Sequence, residues 1–199
     1  MAGSKAVHRC SSQDKSSPWR FGPEQPLCIT FIGMPGSGKS TLASGLAERL
    51  GWAFLDTDHL MEAWYGLPLE ALRNSLGLDQ FLEAEEETLV SLDVNRCVIA
   101  TGGSAVYSSR AMQALKSSGV VIYLQADYAT ISRRISRHPE RGLVMQPGQS
   151  LFDLYLERRE LYERYADLVQ STASASIQNC IQTLERSVYD LWFKENPPK

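Results

Sequence analysis

The sequence predicts an α/β fold, a parallel sheet of about five strands flanked by helices, and three observations carry that expectation. Short apolar runs alternate with amphipathic, helix-spaced stretches along the chain. The first run, Leu27–Ile32, leads directly into Gly33-Met34-Pro35-Gly36-Ser37-Gly38-Lys39-Ser40, a G-x-x-x-x-G-K-S loop set between a strand and a helix. A later wholly apolar run, Cys97–Ala100, ends in Thr101-Gly102-Gly103-Ser104, a tight turn where ligands gather in parallel sheets. Together these predict a P-loop NTPase core of the size of a small kinase.

After the loop, Leu42, Ala43, Leu46, Ala47 and Leu50 recur at helical spacing and Gly51 supplies a stop. Trp52–Leu55 reads as the second strand. It runs into Asp56-Thr57-Asp58, which sets two carboxylates at a sheet's C-terminal edge. From His59 to about Val94 the chain is helical in character, with breaks near Gly66-Leu67-Pro68 and near Gly77. Most of its acidic cluster, Glu83, Glu85, Glu86 and Glu87, reads as a solvated helix face. Cys97–Ala100 is the third strand, and a helix through Met112 and Leu115 precedes a fourth at Val120–Leu124.

The character then changes. Arg133, Arg134, Arg137 and Arg141, followed by the stretch from Gly142 to Gly148, form a basic segment with few apolar anchors, a candidate lid over about 133–150. Leu151–Tyr165 resumes helical spacing and Leu168-Val169 reads as a brief fifth strand. Ile177, Cys180, Ile181, Leu184, Val188 and Leu191 make the apolar stripe of a final helix.

The chain has 199 residues, which fits one α/β domain (27–199) preceded by a flexible extension, 1–26, rich in Ser, Lys and Pro. With 20 Lys and Arg against 23 Asp and Glu, the net charge of -3 points away from nucleic acid and membrane surfaces and toward small substrates. Cys10, Cys28, Cys97 and Cys180 are far apart and His8, His59 and His138 are scattered, so neither a disulfide framework nor a zinc site is expected. No run reaches the length of a membrane span, and the expectation is a cytoplasmic monomer.

The loop's chemistry is specific. Its glycines let successive backbone N–H groups point into one hollow, at which the next helix aims its positive end. Gly33, Met34, Pro35, Gly36, Ser37, Gly38, Lys39, Ser40 and Thr41 are therefore the candidate ATP-binding residues, with Lys39 reaching the β and γ phosphates and Ser40 holding Mg²⁺.

From Leu27 to about Val169 the chain resembles the shikimate kinase family. Asp56-Thr57-Asp58 looks like that family's paired aspartates, and Phe81 with Glu85 like its Phe-Arg-x-x-Glu helix. Val98–Gly103 is similar to its glycine turn, Arg141-Gly142-Leu143 to its lid Arg-Pro-Leu, and Arg158 with Leu161-Tyr162 to its Arg-x-Pro-Leu-Tyr helix. Arg134 matches the arginine at the base of the lid, near the nucleotide.

The resemblance implies roles. Asp56 would hold the Mg²⁺ shell through water, and Asp58 would orient the acceptor hydroxyl and take its proton. Lys39 and Arg141 would converge on the γ-phosphate. Glu85, Gly102 and Gly103 would line the acceptor pocket, where Arg158 would clamp a carboxylate.

Two departures bear on the acceptor. Leu82 stands where the family has a second carboxylate-binding arginine, and Ser104 where it has a third glycine. Loss of that arginine leaves Asp58 and Glu85 beside one guanidinium, a pattern that suits a zwitterion. The expectation is therefore a kinase of a small hydroxy amino acid, homoserine first, with shikimate as the alternative acceptor. A nucleoside monophosphate or gluconate-type kinase and a non-catalytic nucleotide-binding module are the competing classes.

Overall fold

Cys28–Ile32 forms β1, the middle strand of a five-stranded parallel sheet in which every residue of that strand is buried. Residues 27–137, 143–172 and 176–195 are described by the computed structural model, 192–195 by their backbone alone. The predicted extension 1–26, the stretch 138–142 of the predicted lid, and with it Arg141, lie outside the described residues.

The strands β2 (Ala53–Asp56), β3 (Cys97–Ala100), β4 (Gly119–Gln125) and β5 (Leu168–Ser171) complete the sheet in the order β2-β3-β1-β4-β5. The register sets Cys28 beside Cys97 and Gly119, and Phe31 beside Ala100 and Ile122, so the C-terminal ends of β1, β3 and β4 lie along one edge. The helices are α1 (Lys39–Leu50), α2 (Thr57–Tyr65), α3 (Leu69–Val90), α4 (Ser109–Ser118), α5 (Tyr128–Ser136), α6 (Leu151–Tyr165) and α7 (Ile177–Glu195).

Period-two alternation sorts the strand side chains onto two apolar layers. Ile29, Phe31, Val98, Ile122 and Leu124 pack with Leu42, Ala43 and Leu46 of α1 and Cys180, Leu184 and Val188 of α7. Cys28, Ile32, Ile99, Val121 and Tyr123 pack with Met112 and Leu115 of α4 and Leu154 and Tyr162 of α6 on the opposite face. Truncating a wholly enclosed side chain such as Leu46 to alanine removes roughly 2–5 kcal/mol. Cys28, Cys97 and Cys180 are all buried free thiols.

Punctuation follows the sequence closely. Gly51 ends α1 in the left-handed region (φ 68), and Gly66 ends α2 in the same way (φ 68). Inside α3, Gly77 (φ 75, ψ 177) breaks the helical path where the sequence anticipates it. A third cluster, Met61, Leu72, Phe81, Ala84 and Val144, joins α2 and both halves of α3 to the segment leading into α6. One assignment differs: Ile177, placed on the apolar stripe of the last helix, is 54% exposed and lines the cavity described below. No helix among the described residues is long and apolar enough to cross a membrane.

Candidate active site

The loop after β1 is shaped by three glycines with positive φ, Gly33 (147), Gly36 (79) and Gly38 (103). A Cβ at Gly33 would stand 2.8 Å from the Leu124 carbonyl oxygen, so bulk there would push the loop off β4. Lys39 opens α1 and is only 8% exposed; its Nζ donates back to the carbonyls of Gly33 (2.8 Å) and Met34 (3.1 Å), arching over the loop. Arg134, near the end of α5, braces the apex by donating from Nη1 to the Gly36 carbonyl at 2.7 Å.

Asp56 ends β2 and uses its two oxygens differently. Oδ2 accepts from the Ser40 hydroxyl at 2.7 Å, while Oδ1 accepts from the backbone N–H of Asp58 at 3.1 Å and so caps α2. Asp58 is thereby placed in the first turn of α2 rather than on the strand, its carboxyl turned toward the glycine turn after β3. A Cβ on Gly102 would fall 2.8 Å from Asp58 Oδ1 and 2.1 Å from Glu85 Oε1. Only the missing side chain lets both carboxylates approach this backbone. Burial, together with the charge of Asp56, pushes the Asp58 carboxyl up to about 6, against the pull of Lys39. Burial pushes Glu85 up to about 7; a hydrogen bond from Ser104 opposes it and the nearby Asp58 charge adds to it. Glu85 is 3% exposed, unlike its neighbours in the acidic cluster, and Glu86 follows the expected surface pattern by pairing with Arg110.

Arg158 comes from α6 and is 1% exposed, so it is no surface ion pair. Its Nε donates to the Tyr107 hydroxyl (3.2 Å), its Nη2 donates to the Val144 carbonyl (2.7 Å), and the guanidinium lies over the Tyr107 ring. The remaining nitrogen, Nη1, lies 3.1 Å from where a Gly103 Cβ would be. Tyr162, one turn along α6, fixes the same turn by donating to the Gly103 carbonyl at 2.7 Å.

One cavity of about 850 Å³ unites these groups. Pro35 to Thr41 of the loop, Asp56, Asp58, Glu85, Gly102, Gly103, Arg134 and Arg158 all line it, as the sequence reading expects. Gly33 and Met34 do not: Met34 is buried in the core, and both offer their carbonyls to Lys39 Nζ. Leu82 does not line it either. It packs with the cluster of Phe81, Leu72 and Met61, and borders a second hollow beside Glu86 and Arg110 that shares Glu85 and Ser104 with the cavity. Sequence reasoning missed Arg73, His59, Glu62 and Glu70, which do line the cavity.

The arrangement fits a nucleotide and a magnesium ion. The loop is an open cradle, and Ser37 Oγ is buried without a hydrogen-bond partner among the described residues. Ser40 and Asp56 offer hard oxygen ligands. No group of three or more His, Cys, Asp or Glu residues that could hold a metal ion is present among the described residues.

The family model for shikimate kinase matches residues 35–188. The shikimate kinase of Bordetella pertussis is 37% identical over 170 residues, covering 84% of this chain and 80% of that protein, and that of Moorella thermoacetica is 36% identical over 148 residues, covering 74% and 86%. Among solved structures, a shikimate kinase from Acinetobacter baumannii in complex with shikimate superposes with a TM-score of 0.76 at 29% identity, covering 91% of this chain and all of that one. The preference for homoserine is not supported by these relatives, which favour the alternative acceptor. Its physical premise weakens as well, because Leu82 lies off the cavity while a different arginine lines it. On its matched length, its sheet order and its phosphate-binding loop, the chain belongs to the shikimate kinase family and is an ATP-dependent kinase that phosphorylates a hydroxyl.

Proposed function

We propose that this kinase transfers the γ-phosphoryl group of ATP to a hydroxyl of a small carboxylate-bearing acceptor, with shikimate as the leading acceptor. The observation that carries the reading is the shared cavity, in which the phosphate loop faces Asp58, Glu85 and Arg158 across the glycine turn. The named relatives support shikimate in particular.

In this reading the loop N–H groups, Lys39 and Arg134 hold the phosphates, and Ser40 with Asp56 holds Mg²⁺, which when bound neutralises charge on the phosphate oxygens. Arg158 grips the acceptor carboxylate. Asp58 accepts a hydrogen bond from the acceptor hydroxyl and takes its proton as the new P–O bond forms and the bond from the γ-phosphorus to the bridging oxygen breaks, releasing ADP. Arg141, outside the described residues, is proposed to join Lys39 at the transferring group.

A second reading, homoserine, rests on one observation: Asp58 and Glu85 both face the cavity near Arg158, and an acceptor ammonium would find a carboxylate there. ADP release measured with ATP, Mg²⁺ and either shikimate or homoserine tests both. Turnover with shikimate supports the leading reading, turnover with homoserine alone moves the assignment to the second, and turnover with neither contradicts both.

A further inference from the structure

We propose that Arg73, on the first half of α3, is the second guanidinium that grips the acceptor's carboxylate, alongside Arg158. This rests on the carboxylate-bearing acceptor proposed above and identifies the residue that would select it.

Placement is the first argument. Arg73 and Arg158 line the same cavity, from opposite elements, and Phe81 and Val144 line it with them. Leu82 shares none of that lining. Both 72–73 and 81–82 are pairs in which a buried apolar residue of α3, Leu72 or Phe81, is followed by the residue of interest. Leu72 and Phe81 meet in one apolar cluster despite the break at Gly77, so the two following positions emerge near the same part of the fold. The arginine here follows Leu72.

Orientation is the second. Arg73 Nη1 donates to the Leu143 carbonyl at 2.9 Å, and Arg158 Nη2 donates to the next carbonyl, Val144, at 2.7 Å. Two guanidiniums from α3 and α6 are thus anchored on adjacent peptide units, each through one terminal nitrogen. A planar guanidinium fixed by one edge still presents other N–H groups, and two of them facing one cavity form a fork suited to a carboxylate.

Charge is the third. No ion pair holds Arg73 or Arg158 among the described residues, although Glu62, Glu70 and Glu85 line the same cavity. Arg73 is half-buried and its other contact, from Nη2 to Asn74 Oδ1, is long at 3.3 Å. Lys39 and Arg134 serve the phosphate loop, so Arg73 and Arg158 are the two remaining Lys or Arg side chains lining the described cavity, and a bound carboxylate would be their natural counterion.

The test is steady-state kinetics of wild type and Arg73→Gln at saturating ATP and Mg²⁺. The acceptors are shikimate and homoserine, each beside its neutral carboxamide. The proposal expects KM for the carboxylate acceptor to rise about tenfold or more in Arg73→Gln, with kcat and the KM for ATP changing less than about threefold. It also expects the wild-type preference for carboxylate over carboxamide to collapse toward parity, with partial recovery in Arg73→Lys. An unchanged acceptor KM would overturn the assignment. So would an equal loss on acid and amide, the result expected if Arg73 only ties α3 to Leu143. If wild type itself turns over neither acceptor, the acceptor reading fails first, and that control separates the two failures.

Discussion

The Ser40 hydroxyl donates to Asp56 Oδ2 at 2.7 Å, joining the first residues of α1 to the last residue of β2. This contact couples the phosphate loop to the strand that leads into the first turn of α2, where Asp58 sits. Asp56→Asn keeps a good helix cap for α2 while removing a hard anionic oxygen, so it separates metal holding from folding. The Mg²⁺ concentration for half-maximal turnover is expected to rise about tenfold or more, with the melting temperature nearly unchanged. A magnesium titration of initial rate checks it.

Asp58 must be ionised to accept the acceptor proton, and its carboxyl is pushed up to about 6. The profile of kcat/KM is therefore expected to fall on the acid side with a midpoint near that value, shared with Glu85 because the two carboxyls face each other across Gly102. Asp58→Asn should cut kcat roughly 10²–10⁴-fold while ATP still binds, as calorimetry would show. Full turnover in that variant would remove Asp58 from the mechanism.

The same shift predicts a stability effect of definite sign. Burial pushes the Glu85 carboxyl up to about 7 in the folded protein from 4.5 for the free side chain, so the native state binds more protons between those values. Its contribution is stabilising below the unfolded value and is lost as pH rises through about 7. Melting curves of Glu85→Gln and wild type at pH 8 and pH 6 should show the variant gaining relative stability at the higher pH. A variant that lost stability relative to wild type between pH 6 and pH 8 would reverse the sign.

Gly102 tests the approach of the two carboxylates. An alanine there places a methyl 2.1 Å from Glu85 Oε1 and 2.8 Å from Asp58 Oδ1, so at least one carboxylate must move. Gly102→Ala is expected to lose acceptor turnover by about 10²-fold, in line with small misplacements of reacting groups, while ATP affinity stays within about twofold. Parallel calorimetry and rate measurements decide it.

Arg158→Met removes the donors to the Tyr107 hydroxyl and the Val144 carbonyl from a buried position. An unsatisfied buried group costs roughly 1–3 kcal/mol, so both stability and acceptor affinity should fall. Denaturant unfolding and acceptor KM read the two effects separately. Unaltered values of both would place this side chain outside the site.

Much of this was legible because local rules and global fold agree at the loop. The glycines, Lys39 and Ser40 occupy fixed offsets after a buried strand, and Asp56, Asp58, Gly102 and Gly103 sit at or just past strand ends, where a parallel sheet gathers ligands. What stayed hidden lies on α3. Periodicity there is interrupted by Gly77, so spacing alone does not tell which face of each half turns to the cavity. Leu82 is set against the acceptor by family resemblance, and nothing in the spacing marks Arg73 as a cavity residue. Glu85 was singled out by family resemblance, whereas its acidic neighbours, read as solvated, resemble it in sequence and differ only in the depth that tertiary packing gives them.

The most direct test follows the phosphorus itself. Phosphorus NMR of the protein with ATP, Mg²⁺ and shikimate is predicted to show a new phosphate monoester resonance growing as ATP converts to ADP, with no growth when magnesium is withheld. ATP that binds yet yields only free phosphate, or no change at all, with shikimate and with homoserine alike, would contradict phosphoryl transfer across this cavity.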